Sequence, residues 1–105
     1  MTQKIRVDDL PEFDIASQLQ NEEDIAAYVT MVIADGDAAE LAYALGIAAR
    51  ARGMNEIAQA AGLTREALYK ALRPDAHPRF DTINRVCGAL GIKLVAQPRQ
   101  SRSNA

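Results

Sequence analysis

A chain of 105 residues is one domain's worth of polypeptide and builds a single core. With 49% apolar and 25% charged residues it is a folded domain and not a disordered tail, and its lone cysteine, Cys87, excludes an internal disulfide. No apolar run approaches the roughly 20 residues that span a bilayer, and MTQKIRVDDL has no signal-peptide segment, so a soluble cytoplasmic protein is expected. The net charge of −2 divides unevenly: residues 1–40 hold two basic and ten acidic residues, and residues 41–105 hold ten basic and four acidic ones. A basic half suits a polyanion, and an acidic half suits a basic partner. Solvated surface alone would also account for both.

Alanine occurs 20 times, which favours helices. Residues 3–7 (QKIRV) alternate Ile5 and Val7 with charge and read as a short edge strand. Asp14 is placed to cap a helix over 15–20, with Ile15 and Leu19 on one face and Phe13 packing just before it. Asn21 caps the next helix, whose first turn carries Glu22, Glu23 and Asp24. Its inward stripe is Ile25, Val29, Val32 and Ile33, and it ends near Ala34. Asp35-Gly36-Asp37 supplies a turn and a cap. The helix after it runs from about Ala38 to Arg52, buries Leu41, Leu45, Ala48 and Ala49, and stops at Gly53.

The second half is patterned as short helices. Asn55 is read as the cap of a helix over 56–61, Gly62 as its end, and Thr64 as the cap of a helix over 65–72. A proline-containing loop follows, then a helix over about 81–90 begun by Asp81, with Ile83, Val86, Cys87 and Leu90 inward. Residues 92–96 alternate and predict a short strand, a partner for 3–7 in the same chain or in a second copy. The tail, residues 97–105, is polar and expected to fray.

The segment MNEIAQAAGLTREALYKAL, residues 54–72, places small Ala58 where two crossing helices must approach. Gly62 falls where the turn needs positive φ, and Leu63, Leu68 and Leu72 fill the wedge. This resembles the helix–turn–helix of the phage-repressor (Cro/CI-type) family, whose second helix enters the DNA major groove. DTINRVCGALGIKL resembles that family's following helix, and the resemblance covers about residues 38–95. It implies an all-α, λ-repressor-like bundle of five to six helices, with room for a short terminal β-ribbon.

On helix 65–72 the inward stripe is Ala67, Leu68, Ala71 and Leu72, and the outward one is Arg65, Glu66, Tyr69, Lys70 and Arg73. Arg65 suits guanine O6 and N7, and Glu66 suits cytosine N4. Tyr69 suits a thymine methyl or a phosphate, while Lys70 and Arg73 suit phosphates. Thr64 stands at the helix start, where free N–H groups favour an anion. A purely structural account would make Glu66 and Lys70 a surface pair worth about 0.3 kcal/mol. His77-Pro78-Arg79-Phe80 resembles the proline–basic–aromatic stretch that phage repressors lay on the DNA backbone, with Arg79 on phosphate or the minor-groove edge and Phe80 anchored in the core. Asn55 is a further candidate phosphate donor, although Met54 departs from the polar residues repressors use there.

Taken together, FDIASQLQNEEDIAAYV, the DGD turn, ALGIAARARGMNEIAQAAGLTREALYKAL and PRFDTINRVCGALGIKL look like the addiction-module antidote family over about residues 8–98. Those are antitoxins of type II toxin–antitoxin operons, with small basic toxins of the RelE/HigB kind. The resemblance implies three activities: direct toxin binding, operator binding as a dimer, and repression of the chain's own operon. Residues 1–36 are then an acidic extension and candidate toxin surface, residues 37–96 the DNA-binding domain and residues 97–105 the tail. Glu12, Asp14, Glu22, Glu23 and Asp24 would form the rim of the toxin surface, and Phe13, Ile15 and Leu19 its anchors. Simple padding of the core is the structural alternative for these helices.

A dimer would set two reading helices about 34 Å apart, with the last helix and residues 92–96 as its expected contact. Arg50 and Arg52 are read only as complements to a helix C-terminus. Cys87 reads as a core residue. His77 has no partner at ligand spacing, so no metal site is expected, and no phosphate loop or nucleophilic triad points to a cofactor or an enzyme. A stand-alone regulator and a protein-interaction module that does not bind DNA are the alternatives.

Overall fold

Three helices start where a short polar side chain satisfies a free backbone N–H. Asn21 accepts from the Asp24 N–H at 2.8 Å, Asp37 from Ala39 and Glu40 at 3.0 and 3.4 Å, and Thr64 from Ala67 at 3.0 Å. The computed structural model describes residues 11–99, so the edge strand expected over 3–7 lies outside the described residues. Those residues form six α-helices and no strand: α1 Glu12–Gln18, α2 Glu22–Asp35, α3 Ala38–Arg52, α4 Met54–Ala61, α5 Arg65–Ala71 and α6 Phe80–Ala89. This is an all-α bundle of the helix–turn–helix kind expected from the sequence.

Several boundaries differ from the expected ones. Helix α1 starts after Pro11, not at Asp14, because a proline with φ −60° has no N–H to lose at a helix start. Asp14 instead sits in the first turn. Helix α4 begins at Met54 after Gly53, so Asn55 is not its cap; Met54 is only 7% exposed, and its burial draws the first turn inward. Helix α6 begins at Phe80, with Arg79 rather than Asp81 at the cap position. Residues 92–96 form no strand: Ile92 and Leu94 are half-buried and Lys93, Val95 and Ala96 exposed, so the alternation persists without a ladder among the described residues.

Helices α2 and α3 form a hairpin through the left-handed Gly36, and Glu22 at the start of α2 meets Arg52 at the end of α3. Helix α3 is the hub, packing on α1, α2, α4 and α6. Its small residues Ala44, Gly46, Ala48 and Ala49 are buried and let neighbours come close. A Cβ at Gly46 would lie 3.1 Å from the Leu72 carbonyl oxygen, so the end of α5 approaches α3 at a point that only glycine leaves open. Ile25, Leu45, Ile47, Leu68 and Leu90 are the largest fully buried aliphatic side chains, each worth about 1.5–3 kcal/mol of burial. The stripe of α2 runs through Tyr28, which is 7% exposed, and not through Ile33, which is 42% exposed.

Tyr28 Oη is buried with no hydrogen-bond partner among the described residues. Burial first, then the neighbouring Tyr43, Glu40 and Glu12, push its pKa from 10.0 to about 12. Burial likewise raises Cys87 from 9.0 to about 11. Unfolding lets both ionise at their ordinary values. Their contribution is therefore complete below pH 9.0 and is lost progressively toward pH 12. Tyr28→Phe removes an unpartnered hydroxyl and is expected to leave stability unchanged or raised by up to about 1 kcal/mol. It should also shrink the alkaline loss, as read by urea unfolding at neutral and alkaline pH.

Candidate nucleic-acid interface

The local sequence dictates the α4–α5 pair. Gly62 takes φ +75°, and its N–H and that of Leu63 bond back to Gln59 and Ala58 at 3.2 and 2.9 Å, closing α4 and turning the chain. The chain reaches Thr64 two residues later, and α5 begins. Ala58 is 3% exposed at the crossing, while Leu68 and Leu72, at 0% and 2%, fix the inner side of α5. With that side fixed, helix geometry leaves Arg65, Glu66, Tyr69 and Lys70 in solvent, and Arg73 just past the helix end is exposed as well. Thr64, Asn55 and Arg79 are also exposed.

Two of these side chains are already organised. The Arg65 guanidinium lies 5.3 Å from the Tyr69 ring centroid and donates from Nη2 to Tyr69 Oη at 3.2 Å. That hydrogen bond holds its pKa above the ordinary value, so Arg65 stays cationic. One donor is spent on Tyr69, and the pair presents charge and aromatic surface together. Glu66 and Lys70 form no ion pair among the described residues, so the surface-pair account does not describe them here.

Arg79 stands at the start of α6, but Phe80 does not anchor the loop in the core: it is 67% exposed. As the first residue of α6 it points off the bundle, and Ile83, one turn on, is the buried residue. Exposed Phe80, Ile33 and Val95 edge an apolar groove of about 950 Å³ that also touches Leu41, Ile83 and Leu94. No local pattern signals it, because each residue fits a core stripe or strand pattern equally well.

A second concavity, of about 480 Å³, lies where α3 ends and α4 and α5 begin. Arg50, Arg52, Asn55, Glu56, Arg65 and Tyr69 line it. Arg50 is more than a helix-end charge: its Nε and Nη2 donate to Glu12 Oε2 and Oε1 at 2.6 and 2.9 Å. That bond to Glu12 holds its pKa above the ordinary value despite partial burial.

The acidic extension is partly consumed inside the fold. Ile15 and Leu19, expected as partner anchors, are 4% and 6% exposed in the common core, because α1 docks its apolar side on α3. Glu12 and Glu22 hold Arg50 and Arg52, and Asp24 accepts from the Gln20 N–H at 3.0 Å. Asp14 and Glu23 are exposed with no ion pair among the described residues. The side chain of Phe13 lies outside the described residues.

A short two-helix unit with a buried inner stripe and a basic, aromatic outer one, carried on a helical hairpin, defines an all-α helix–turn–helix bundle. Residues 9–98 match the family described as probable addiction module antidote protein, and the chain belongs to that family. It is 41% identical over 93 residues to an uncharacterized protein of Haemophilus influenzae, covering 89% of this chain and 94% of that relative. No solved structure gives a significant match. Among the described residues no helix is long and apolar enough to cross a membrane.

Thr64→Ala removes the only side-chain cap of the outer helix and is expected to cost about 1 kcal/mol in urea unfolding. Arg65→Ala, at a fully exposed position, should leave the unfolding midpoint almost unmoved.

Proposed function

We propose that this chain is the antitoxin of a type II toxin–antitoxin module, and that it represses its own operon by binding operator DNA as a cytoplasmic dimer. The carrying observation is the two-sidedness of α5: Leu68 and Leu72 are buried, and Arg65, Glu66, Tyr69, Lys70 and Arg73 face solvent. A helix so held enters a major groove without rearranging the fold. In this reading Arg65 and Glu66 address base edges, and Tyr69 addresses a thymine methyl or a phosphate. Lys70, Arg73, Arg79, Asn55 and the α5 start at Thr64 address phosphates. The apolar groove around Phe80, Ile33 and Val95 supports the start of α6 and the segment after it as the face for the second copy.

An antidote has a toxin to act on, so family membership implies a toxin partner in general terms. We assign that partner to the small basic RelE/HigB kind, docking on the acidic rim of α1 and α2. Glu12, Asp14, Glu22, Glu23 and Asp24 supply the charge, with Asp14 and Glu23 the two whose carboxylates make no hydrogen bond or ion pair among the described residues. No catalytic step is assigned to this chain.

Two outcomes are expected. In a gel shift with the DNA upstream of its own gene, Arg65→Ala and Lys70→Ala each weaken binding, by about 1–3 kcal/mol for Arg65 if it pairs with a guanine. Wild-type binding by both variants refutes the assignment of α5. Charge reversal at Asp14 and Glu23 weakens protection against the product of the adjacent toxin gene in co-expression, while operator binding is retained. Unchanged protection removes the toxin from this surface.

A further inference from the structure

Arg50, Arg52 and Arg65 converge on the concavity between the end of α3 and the starts of α4 and α5. Two of the three are held by carboxylates from the N-terminal helices. Glu12 takes the Arg50 fork at 2.6 and 2.9 Å, and Glu22 takes Arg52 Nη2 at 3.4 Å. A guanidinium that grips a carboxylate in this two-pronged way offers the same fork to a phosphate. The Arg50 and Arg52 side chains are 33% exposed, so an anion from solvent reaches them.

The position of Arg50 does not depend on Glu12 alone. A Cβ at Gly46 would lie 3.3 Å from Arg50 Nη1 and 3.1 Å from the Leu72 carbonyl oxygen. The guanidinium thus rests on bare backbone of α3 beside the end of α5. That contact helps keep it on the rim of the concavity that Arg65 and Tyr69 also line. Glu56, the one acid among the residues that line the concavity, lies against Gly53 at the start of its own helix.

We propose that Arg50 and Arg52 are a second phosphate-binding pair on the duplex-facing side of this chain, and that Glu12 and Glu22 are built-in competitors for that pair. This rests on α5 lying against a duplex. While the carboxylates are in place, the two arginines are neutralised and the phosphate backbone gains little from them. A basic partner that draws Glu12 and Glu22 away frees both guanidiniums for DNA. The coupling is reciprocal: a duplex holding the arginines leaves the two carboxylates to the partner.

The test is fluorescence anisotropy with a labelled duplex taken from upstream of the chain's own gene, as a function of salt, on the full chain. Glu12→Gln is expected to tighten binding on the order of threefold to tenfold and to steepen the slope of log affinity against log salt by about 0.9, one phosphate's worth. Asp35→Asn makes the same charge change at the C-terminal end of α2, away from Glu22 and Arg52, and should leave the slope alone. Glu12→Gln combined with Arg50→Ala should lose the gain. If Glu12→Gln does not fold, Glu12→Asp, which keeps the charge but shortens the reach, should give a smaller gain of the same sign. Wild-type affinity and slope in the Glu12 variant, or an equal gain in Asp35→Asn, overturns the competition. If Arg65→Ala weakens binding in the same series, the reading of α5 survives that failure. If Arg65→Ala binds normally, both fall together.

Discussion

The burial of Leu68 and Leu72 is the constraint from which the rest follows. Helix α5 is seven residues long and gains little from its own backbone bonds, because isolated helices of that length are marginal in water. It persists because Thr64 caps its start and its apolar side closes over the core shared with α3, α4 and α6. The same burial sets the rotation of the helix about its axis, and so decides which side chains face outward. Gly46 matters for the same reason, since a Cβ there would lie 3.1 Å from the Leu72 carbonyl oxygen and crowd the end of α5.

Helix α3 carries two loads. Along its length it offers buried alanines and a glycine, which permit close packing; at its C-terminal end it offers Arg50 and Arg52, which face the acidic N-terminal helices. The uneven charge of the chain is therefore used internally as well as at its surface. Carboxylates from the acidic half sit against arginines of the basic half at the edge of the concavity beside α5. These pairs are largely solvated and add little to stability. Their weight lies in where they place charge.

Much of this was legible in one dimension. Asn21, Asp37 and Thr64 are short acceptors followed by apolar periodicity, and each caps a helix as read. Gly36, Gly53 and Gly62 take positive φ at helix ends where a glycine breaks the pattern. The two-sidedness of 65–72 follows from the period of the helix. Asp14, Asn55 and Asp81 are all competent caps, but Pro11, Gly53 and Arg79 occupy the cap positions: proline has no N–H to lose at a helix start, and burial of Met54 draws in the first turn of α4. Ile33 and Phe80 carry apolar side chains on plausible stripes, yet no element among the described residues covers them.

The sequence by itself determined the helices, their turns and the polarity of each face, because these depend on contacts within about one helical turn. Tertiary structure alone decided which apolar residues are covered, that Ile15 and Leu19 belong to the core, and that Arg50 meets Glu12 across 38 positions of chain. Such pairings depend on how the helices cross, and the crossing is set by the summed fit of many small side chains that no local pattern records.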